Sequence, residues 1–265
     1  MFYKTFFGRF IWRRDWHRRV RMRLSLYRRK LTKDVLIDLK HVFRDKSVET
    51  ILDVGANIGF VTHQFQKMFP GAQIYAFEPN PKVFDVLAAS YEGDNSVKIL
   101  NCGVGDVKGK LSFNVNANTG TSSFLTATEY HRTHQAKRLL DPIDVEVLTL
   151  DHFTEAERLP HIDILKLDIE GYELKALQGA ARLLKLQAID AIYTEVCLVP
   201  QYVGQPLLHE ITSFLEGYGY FLYNLDDFIG QETPVRQAVL GNATYISASF
   251  RDFLTGKYGS KNCGW

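Results

Sequence analysis

The chain has 265 residues, of which 46% are hydrophobic and 23% are charged, a composition typical of a globular protein and not of a disordered one. This length accommodates one large α/β domain with an extension, or two small domains. The formal net charge is +2, but residues 1–30 carry +10 and the remainder of the chain carries −8. No apolar run approaches the ~18 residues that span a bilayer, so a transmembrane protein is excluded.

The three cysteines, Cys102, Cys197 and Cys263, lie far apart, and none belongs to a CxxC pair. This spacing excludes a disulfide framework and a structural zinc site, and it favours a reducing compartment. The eight histidines form neither an HxH nor an HExxH pair. We therefore expect a cytoplasmic protein without a resident metal.

The basic N-terminal segment has its own pattern. Apolar and aromatic residues recur there mostly every three or four positions, with arginines between them, which predicts a basic amphipathic helix. The segment lacks the apolar core of a secretory signal and the Ser and Thr of a transit peptide. Three roles stay open for residues 1–30: contact with the inner face of a membrane, packing on the rest of the chain, or contact with nucleic acid. We assign residues 1–48 to this helical extension.

From residue 49 the pattern changes to short apolar runs separated by longer amphipathic runs, which predicts a doubly wound, mostly parallel α/β sheet of seven strands. The predicted strands are 50–54, 73–77, 97–101, 162–167, 190–195, 219–224 and 244–248. The predicted helices are 58–69, 81–91, 171–185 and 206–217. The domain is predicted to cover residues 49–248, followed by a C-terminal tail over 249–265.

A long insertion, residues 106–160, separates the third strand of this sheet from the fourth. It contains two extended-looking runs around a polar segment rich in Asn, Thr and Ser. Loops at the strand ends of an α/β sheet line its cleft. We therefore expect Thr119, Ser122 and Ser123 to contact a substrate, with a solvated turn as the alternative.

A turn with two glycines follows the first predicted strand, in the stretch DVGANIG. Gly55 and Gly59 allow backbone to approach a neighbour closely, and strand, turn and helix in this order bind ligands in doubly wound sheets. The spacing lacks the middle glycine of the dinucleotide fingerprint, so it accommodates a pyrophosphate poorly. A carboxylate at Asp53 suits a ligand with an ammonium group, and Asn57 adds an amide beside it.

The second predicted strand ends at Glu78, 25 residues after Asp53. An acid in this place accepts hydrogen bonds from both hydroxyls of a ribose. The alternative is that Glu78 only caps the next helix, although Asn80 already stands at the cap position. A ribose, an ammonium group and no diphosphate together indicate S-adenosylmethionine and not NAD.

The chain resembles class I S-adenosylmethionine-dependent methyltransferases, and more closely their FkbM-type branch. The resemblance covers about residues 50–248 and implies a Rossmann-like sheet, with the adenine of the cofactor near Gly103. It also implies methyl transfer, usually to a hydroxyl of a sugar, glycolipid or secondary metabolite. The stretches that carry it are DVGANIGFVT, FEPNP, NCGVGD, LTLDHF, GYFLYNLDD and, most specifically, IDILKLDIEGYELKALQGA.

Candidate catalytic groups lie at the end of the fourth predicted strand. Lys166, Asp168 and Glu170 occupy every second position, so their side chains share one face of the strand. Burial of three ionisable groups is costly unless they pair with each other or face a cleft. Our leading assignment makes Asp168 the base or the acceptor-orienting group, assisted by Glu170, while Lys166 keeps a carboxylate ionised. Alternatively, Asp168 only contacts the cofactor and Glu170 caps a helix. Glu195 is a further candidate; the three acids could ligate a divalent ion, but no spacing rule indicates one.

We therefore predict an S-adenosylmethionine-dependent O-methyltransferase that acts on a hydroxyl of a carbohydrate, glycolipid or related metabolite. The tetrapeptide typical of amino-methylating enzymes is missing where DIEG stands. Two alternatives remain: an RNA methyltransferase that uses the basic arm, and a non-catalytic cofactor-binding module in a membrane or other assembly. We expect a cytoplasmic location, with peripheral contact at the inner membrane face as one option.

Overall fold

The computed structural model describes residues 35–134, 139–230 and 237–259. The amphipathic helix predicted over residues 1–30 lies outside these ranges. The chain divides into two compact units after Val42, a few residues before the predicted boundary at 48. The first unit contains helix α1 (Val35–Val42). Among the described helices, none combines the length and the apolar character that crossing a bilayer requires.

The second unit alternates strands and helices, as the sequence pattern predicts. Its elements in chain order are β1 (Thr50–Val54), α2 (Phe60–Met68), β2 (Gln73–Phe77), α3 (Pro81–Ser90), β3 (Val97–Leu100), β4 (Gly103–Val104), β5 (Gly109–Phe113), a 3-10 turn (Thr119–Thr121), α4 (Glu129–His134), β6 (Ile143–Leu148), α5 (Leu150–Ala156), β7 (Ile162–Leu167), α6 (Glu173–Gln178), α7 (Ala181–Lys185), β8 (Ile189–Cys197), α8 (Leu208–Glu216), β9 (Tyr220–Gly230), β10 (Ala238–Ser247) and α9 (Ala248–Tyr258).

The main sheet has seven strands in the order β3-β2-β1-β7-β8-β10-β9. Neighbouring strands from β3 to β8 run parallel, and β10 runs antiparallel to both β8 and β9. This confirms the predicted doubly wound, mostly parallel sheet. The central strand β7 is buried along its whole length, which explains its nearly continuous apolar run. The strand order reverses between β1 and β7, and ligands bind at such switch points.

Two strands of the insertion, β5 and β6, form a second, three-stranded sheet together with β4, which precedes the insertion, in the order β4-β6-β5. Its two extended-looking runs pair as antiparallel strands, from Gly109 opposite Val147 to Phe113 opposite Ile143. Phe113 and Val147 belong to a small separate apolar core, against which Phe124 packs. The insertion is therefore a folded layer with its own core and not a loose loop.

Two predicted elements differ from the structure. The helix predicted over 171–185 is interrupted between α6 and α7, where Gly179 is the C-cap of α6. A Cβ on Gly179 would lie 2.0 Å from the main-chain oxygen of Gly105, so this position requires glycine. The predicted C-terminal tail includes helix α9, whose first turn is capped by the Ser247 hydroxyl accepting from the Phe250 N–H at 3.1 Å. The Phe250 side chain is buried, and this burial stabilises the helix.

A cluster of charges ties the amino ends of three strands together. The Lys46 ammonium donates to Asp163 Oδ1 at 2.7 Å and to Asp190 Oδ2, and both carboxylates are buried. Asp163 Oδ2 also accepts from the N–H groups of Glu49 and Thr50, at 2.8 and 3.0 Å. Burial lowers the pKa of Lys46, but the hydrogen bonds to the two carboxylates outweigh it and raise that pKa.

We expect the substitution Lys46→Met to lower the free energy of unfolding by about 2–4 kcal/mol, because it removes the ammonium that pairs with two buried carboxylates and leaves only His161 beside them. Urea denaturation measures the change. The matched control is Lys110→Met, which removes an exposed pair with Glu146 at 3.4 Å and should cost less than about 1 kcal/mol. Equal losses in the two variants would show that the Lys46 cluster adds nothing beyond a surface pair.

Candidate functional site

A cavity with about 600 Å³ of empty space, including space open to solvent, lies at the carboxyl ends of β1, β2 and β7. The parallel register aligns Val54 with both Phe77 and Leu167, so the residues that follow these strands meet at one edge of the sheet. The cavity is lined by Val54, Gly55, Asn57, Phe77, Glu78, Pro79, Cys102, Gly103, Val104, Phe113, Thr119, Gly120, Ser122, Phe124, Asp168, Ile169 and Glu170. The cavity thus has polar residues that follow the strands on one side and apolar residues, such as Phe113 and Phe124, on the other.

The Gly55 turn forms the floor where β1 and β7 meet. Gly55 has a φ of +80°, and a Cβ there would lie 1.9 Å from the main-chain oxygen of Asp168. The N–H groups of Gly55 and Ala56 both donate to the oxygen of Phe77 at 3.0 Å. The left-handed conformation and the close approach both require glycine at this position.

We expect Gly55→Ala to cost about 3 kcal/mol or more in unfolding free energy, because it adds a backbone clash to the strain of a positive φ. Chemical denaturation measures the loss. The matched control is Gly93→Ala, since Gly93 has the same φ of +80° but no atom within 4 Å of the added Cβ. That variant should lose about 1–2 kcal/mol; similar losses at both positions would contradict the role of the contact with Asp168.

Glu78 holds the exit of β2 against the Gly55 turn. Its Oε1 accepts from the Asn80 N–H at 2.9 Å and its Oε2 from the Asn57 N–H at 3.0 Å. Burial raises the pKa of Glu78 to about 6, although these two hydrogen bonds oppose the shift. A carboxylate oxygen has more than one lone pair, so both oxygens can also accept from ligand hydroxyls.

The helix cap at this place belongs to another residue. The Asn80 side chain accepts from the Lys82 N–H at 3.1 Å and caps α3, so Glu78 is not the cap. Asn80 itself does not line the cavity, and it acts on the site only through its N–H to Glu78. Gly59, another predicted cofactor contact, lies at the start of α2 with a φ of +89° and likewise does not line the cavity.

Asp53 and Lys166, predicted as a cofactor contact and a catalytic residue, pair with each other in the structure. Asp53 is fully buried; its Oδ2 accepts from the Thr62 hydroxyl at 2.6 Å, and its Oδ1 lies 3.0 Å from the Lys166 ammonium. Neither residue lines the cavity. Asp53 and Lys166 are register partners on adjacent strands, and a buried carboxylate requires such a counter-ion. In this arrangement Asp53 and Lys166 contact each other and do not line the cavity, so their roles toward the cofactor and in catalysis stay predictions.

Lys166 instead positions the turn above it. Its ammonium donates to the Gly55 oxygen at 2.8 Å and lies 3.7 Å from Asp168 Oδ2. Burial lowers the pKa of Lys166, but Asp53 and Asp168 outweigh it and raise that pKa. The charged ammonium thus links the buried ion pair to the floor of the cavity.

The structure brings together the three predicted catalytic acids. One carboxylate oxygen from each of Asp168, Glu170 and Glu195 lies within 4.8 Å of the others. Asp168 and Glu170 line the cavity, whereas Glu195 does not. Burial raises the pKa of Glu170 to about 8, with Asp168 adding to the shift; burial and the charge of Glu170 raise the pKa of Glu195 well above its usual value. Such oxygens suit a shared proton or a hard divalent cation, so the expectation of a metal-free site stays a prediction.

Two residues that sequence analysis does not select hold this acidic turn in place. The Tyr202 hydroxyl donates to Glu170 Oε2 at 2.7 Å, and Glu173 Oε1 accepts from the N–H groups of Ile169 and Gly171 at 3.0 and 3.2 Å. Glu173, and not Glu170, therefore accepts the hydrogen bonds of the free N–H groups in this turn. Burial raises the pKa of Glu173 to about 7 against these hydrogen bonds. No sequence signal indicates Tyr202, because it lies in the loop after β8.

The insertion supplies the opposite wall. Thr119 and Ser122 line the cavity, and the Thr119 hydroxyl donates to Asn57 Oδ1 at 3.3 Å. Ser123 faces elsewhere, since its hydroxyl donates to the main-chain oxygen of Glu170 at 2.7 Å. Gly103 lines the cavity as predicted, and a Cβ there would lie 2.5 Å from the Phe124 ring. The apolar wall itself, which includes Phe124, comes from folding of the insertion and has no motif in the sequence.

The sheet order and the site at its switch point define a class I methyltransferase. Residues 53–222 match the methyltransferase FkbM domain. Because this match covers more than half of the chain, the chain belongs to the FkbM methyltransferase family. The family confirms the resemblance and S-adenosylmethionine as the cofactor, which the cavity fits through the Glu78 carboxylate and the close backbone at Gly55.

Three relatives illustrate the range of this similarity. Methyltransferase sdnD of Sordaria araneosa is 31% identical over 49% of this chain and 59% of its own length. The 2-O-methyltransferase NoeI of Sinorhizobium fredii is 25% identical over 66% of this chain and 74% of its own length. Hexuronic acid methyltransferase AglP of Haloferax volcanii is 28% identical over 56% of each chain. The chain thus spans less than two thirds of the length of sdnD and of AglP.

Proposed function

We propose that this chain transfers a methyl group from S-adenosylmethionine to a hydroxyl of a carbohydrate or related metabolite. The observation that carries the proposal is one cavity lined both by Glu78 and by the acidic pair Asp168 and Glu170. The first carboxylate suits a ribose, and the pair suits an acceptor hydroxyl. The names of NoeI, a 2-O-methyltransferase, and of AglP, a hexuronic acid methyltransferase, support this choice of acceptor.

The cofactor would be held by groups with distinct tasks. Glu78 accepts from the ribose hydroxyls, the Gly55 turn provides close backbone, and the apolar wall near Gly103 surrounds the adenine. When bound, the cofactor supplies an electrophilic methyl group on a sulfonium. Asp53 contributes only through Lys166, which fixes the Gly55 oxygen.

The acceptor hydroxyl is oriented by Asp168, whose side chain is 47% exposed at the cavity, and its proton passes to a carboxylate oxygen of Glu170. A base works best when its pKa lies near the working pH, and the pKa of Glu170 is raised to about 8 by burial. Tyr202 holds Glu170 in place by its hydrogen bond. Positioning of the hydroxyl supplies much of the remaining rate.

The decisive experiment incubates the purified full chain with methyl-labelled S-adenosylmethionine and with uronic-acid oligosaccharides, neutral oligosaccharides or total RNA. We expect label in an O-methyl ether of an oligosaccharide, with a rate that rises as the pH passes 8, because Glu170 then becomes ionised. Glu170→Gln should lower kcat by about 10²–10⁴-fold and remove that pH dependence. Glu78→Gln should instead weaken the binding of S-adenosylhomocysteine, measured by calorimetry.

The control variant is Glu92→Gln, since Glu92 is exposed and lies outside the cavity; we expect it to match the wild-type chain. Label in RNA alone would replace the proposal with RNA methylation. Cofactor binding without turnover on any acceptor would indicate a non-catalytic module. Unchanged cofactor binding in Glu78→Gln would overturn the assignment of Glu78 to the ribose.

A further inference from the structure

A second cavity, with about 700 Å³ of empty space including space open to solvent, lies beside the first. The insertion and the loop after β8 form it, through isolated bridges that pair Asn114 with Ser123 and Ala127 with Tyr202. Its polar lining side chains include Asn114, Asn116, Thr121, Ser123, Arg132 and Tyr202. Among the described residues that line it, none is Asp or Glu, in contrast with the acidic wall of the first cavity.

One short segment of the insertion contributes to both cavities. Ser122 lines the first cavity, whereas its neighbours, Thr121 at the end of the 3-10 turn and Ser123, line the second. Tyr202 also connects the two cavities. It lines the second cavity, and its hydroxyl donates at 2.7 Å to Oε2 of Glu170, which lines the first cavity. The Tyr202 side chain therefore links the second cavity to Glu170, the candidate base.

Asn116 points to a ligand in this cavity. Its side chain is 4% exposed, and its amide nitrogen donates to the Thr121 oxygen at 2.5 Å. Its amide oxygen Oδ1 is buried and has no hydrogen-bond partner in the described part of the chain. A buried oxygen without a donor is costly, and a ligand hydroxyl in the cavity would supply that donor.

Arg132, on helix α4, gives the cavity its charge. Its side chain is exposed and forms no ion pair of 4.0 Å or less with any described residue. The planar guanidinium presents paired N–H donors that match the two oxygens of a carboxylate. A cation, a buried amide oxygen and the Tyr202 ring together suit a ligand that is both anionic and rich in hydroxyls.

We propose that the second cavity is an acceptor subsite that binds a sugar unit carrying a carboxylate. The carboxylate pairs with Arg132, and a hydroxyl of the same unit donates to Asn116 Oδ1. The methylated hydroxyl belongs to the part of the acceptor that reaches Asp168 and Glu170. This inference rests on the proposed function and specifies the class of acceptor.

The test titrates the ¹⁵N-labelled full chain, saturated with S-adenosylhomocysteine, with methyl β-glucuronide and with its neutral isostere methyl β-glucoside. We expect the glucuronide to bind at least about tenfold more tightly, the scale of one charge-assisted bidentate contact. Arg132→Gln should reduce that preference to less than about threefold. Arg158→Gln is the matched control, because Arg158 is exposed and lies outside both cavities, and it should leave the preference unchanged.

Equal affinity for the two sugars, or a preference retained in Arg132→Gln, would overturn the subsite. Absence of glucuronide binding at tens of millimolar would also overturn it, and tighter binding of glucose 6-phosphate would overturn the assignment to a carboxylate. These outcomes are separate from failure of the proposed function. That failure would appear in the wild-type chain, with Arg132 intact, as lost binding of S-adenosylhomocysteine or as absent turnover at saturating acceptor.

Discussion

The buried ion pair between Asp53 and Lys166 is the interaction on which the rest of the site depends. It joins β1 to β7, the two strands on either side of the switch point, where their side chains are register partners. Because both groups are almost completely excluded from solvent, each requires the other, and removal of one leaves an unpaired buried charge. The same ammonium donates to the Gly55 oxygen, so the ion pair also sets the backbone that a cofactor must approach.

Glutamates of the site differ in pKa because they differ in burial and in hydrogen bonds. Burial raises the pKa of Glu78 to about 6 and that of Glu173 to about 7, and in both cases N–H donors stabilise the ionised form. Glu170 has one hydroxyl donor and the neighbouring charge of Asp168, and burial raises its pKa to about 8. Glu78 and Glu173, which accept hydrogen bonds from backbone N–H groups, therefore suit ligand binding and turn formation, respectively. Glu170, whose pKa is higher, suits proton transfer near neutral pH.

The insertion converts a common fold into a particular site. The Ser122 hydroxyl of this insertion accepts from the Asn116 N–H at 3.0 Å, and the segment from Thr121 to Ser123 contributes to the lining of both cavities. One cavity is lined by acids and the other by Arg132.

Periodicity and motif spacing determined the sheet, because apolar runs of strand length and amphipathic runs of helix length are local properties. They also determined the edge where Gly55, Glu78 and Asp168 meet, since residues that follow parallel strands share one edge. The family followed from the stretch around Asp168. Only the tertiary structure decided the partners of these residues: the pairing of Asp53 with Lys166, the break at Gly179, the contact of Tyr202 with Glu170 and the second cavity. These features depend on packing between segments distant in sequence, and no local pattern encodes which side chains such packing brings together.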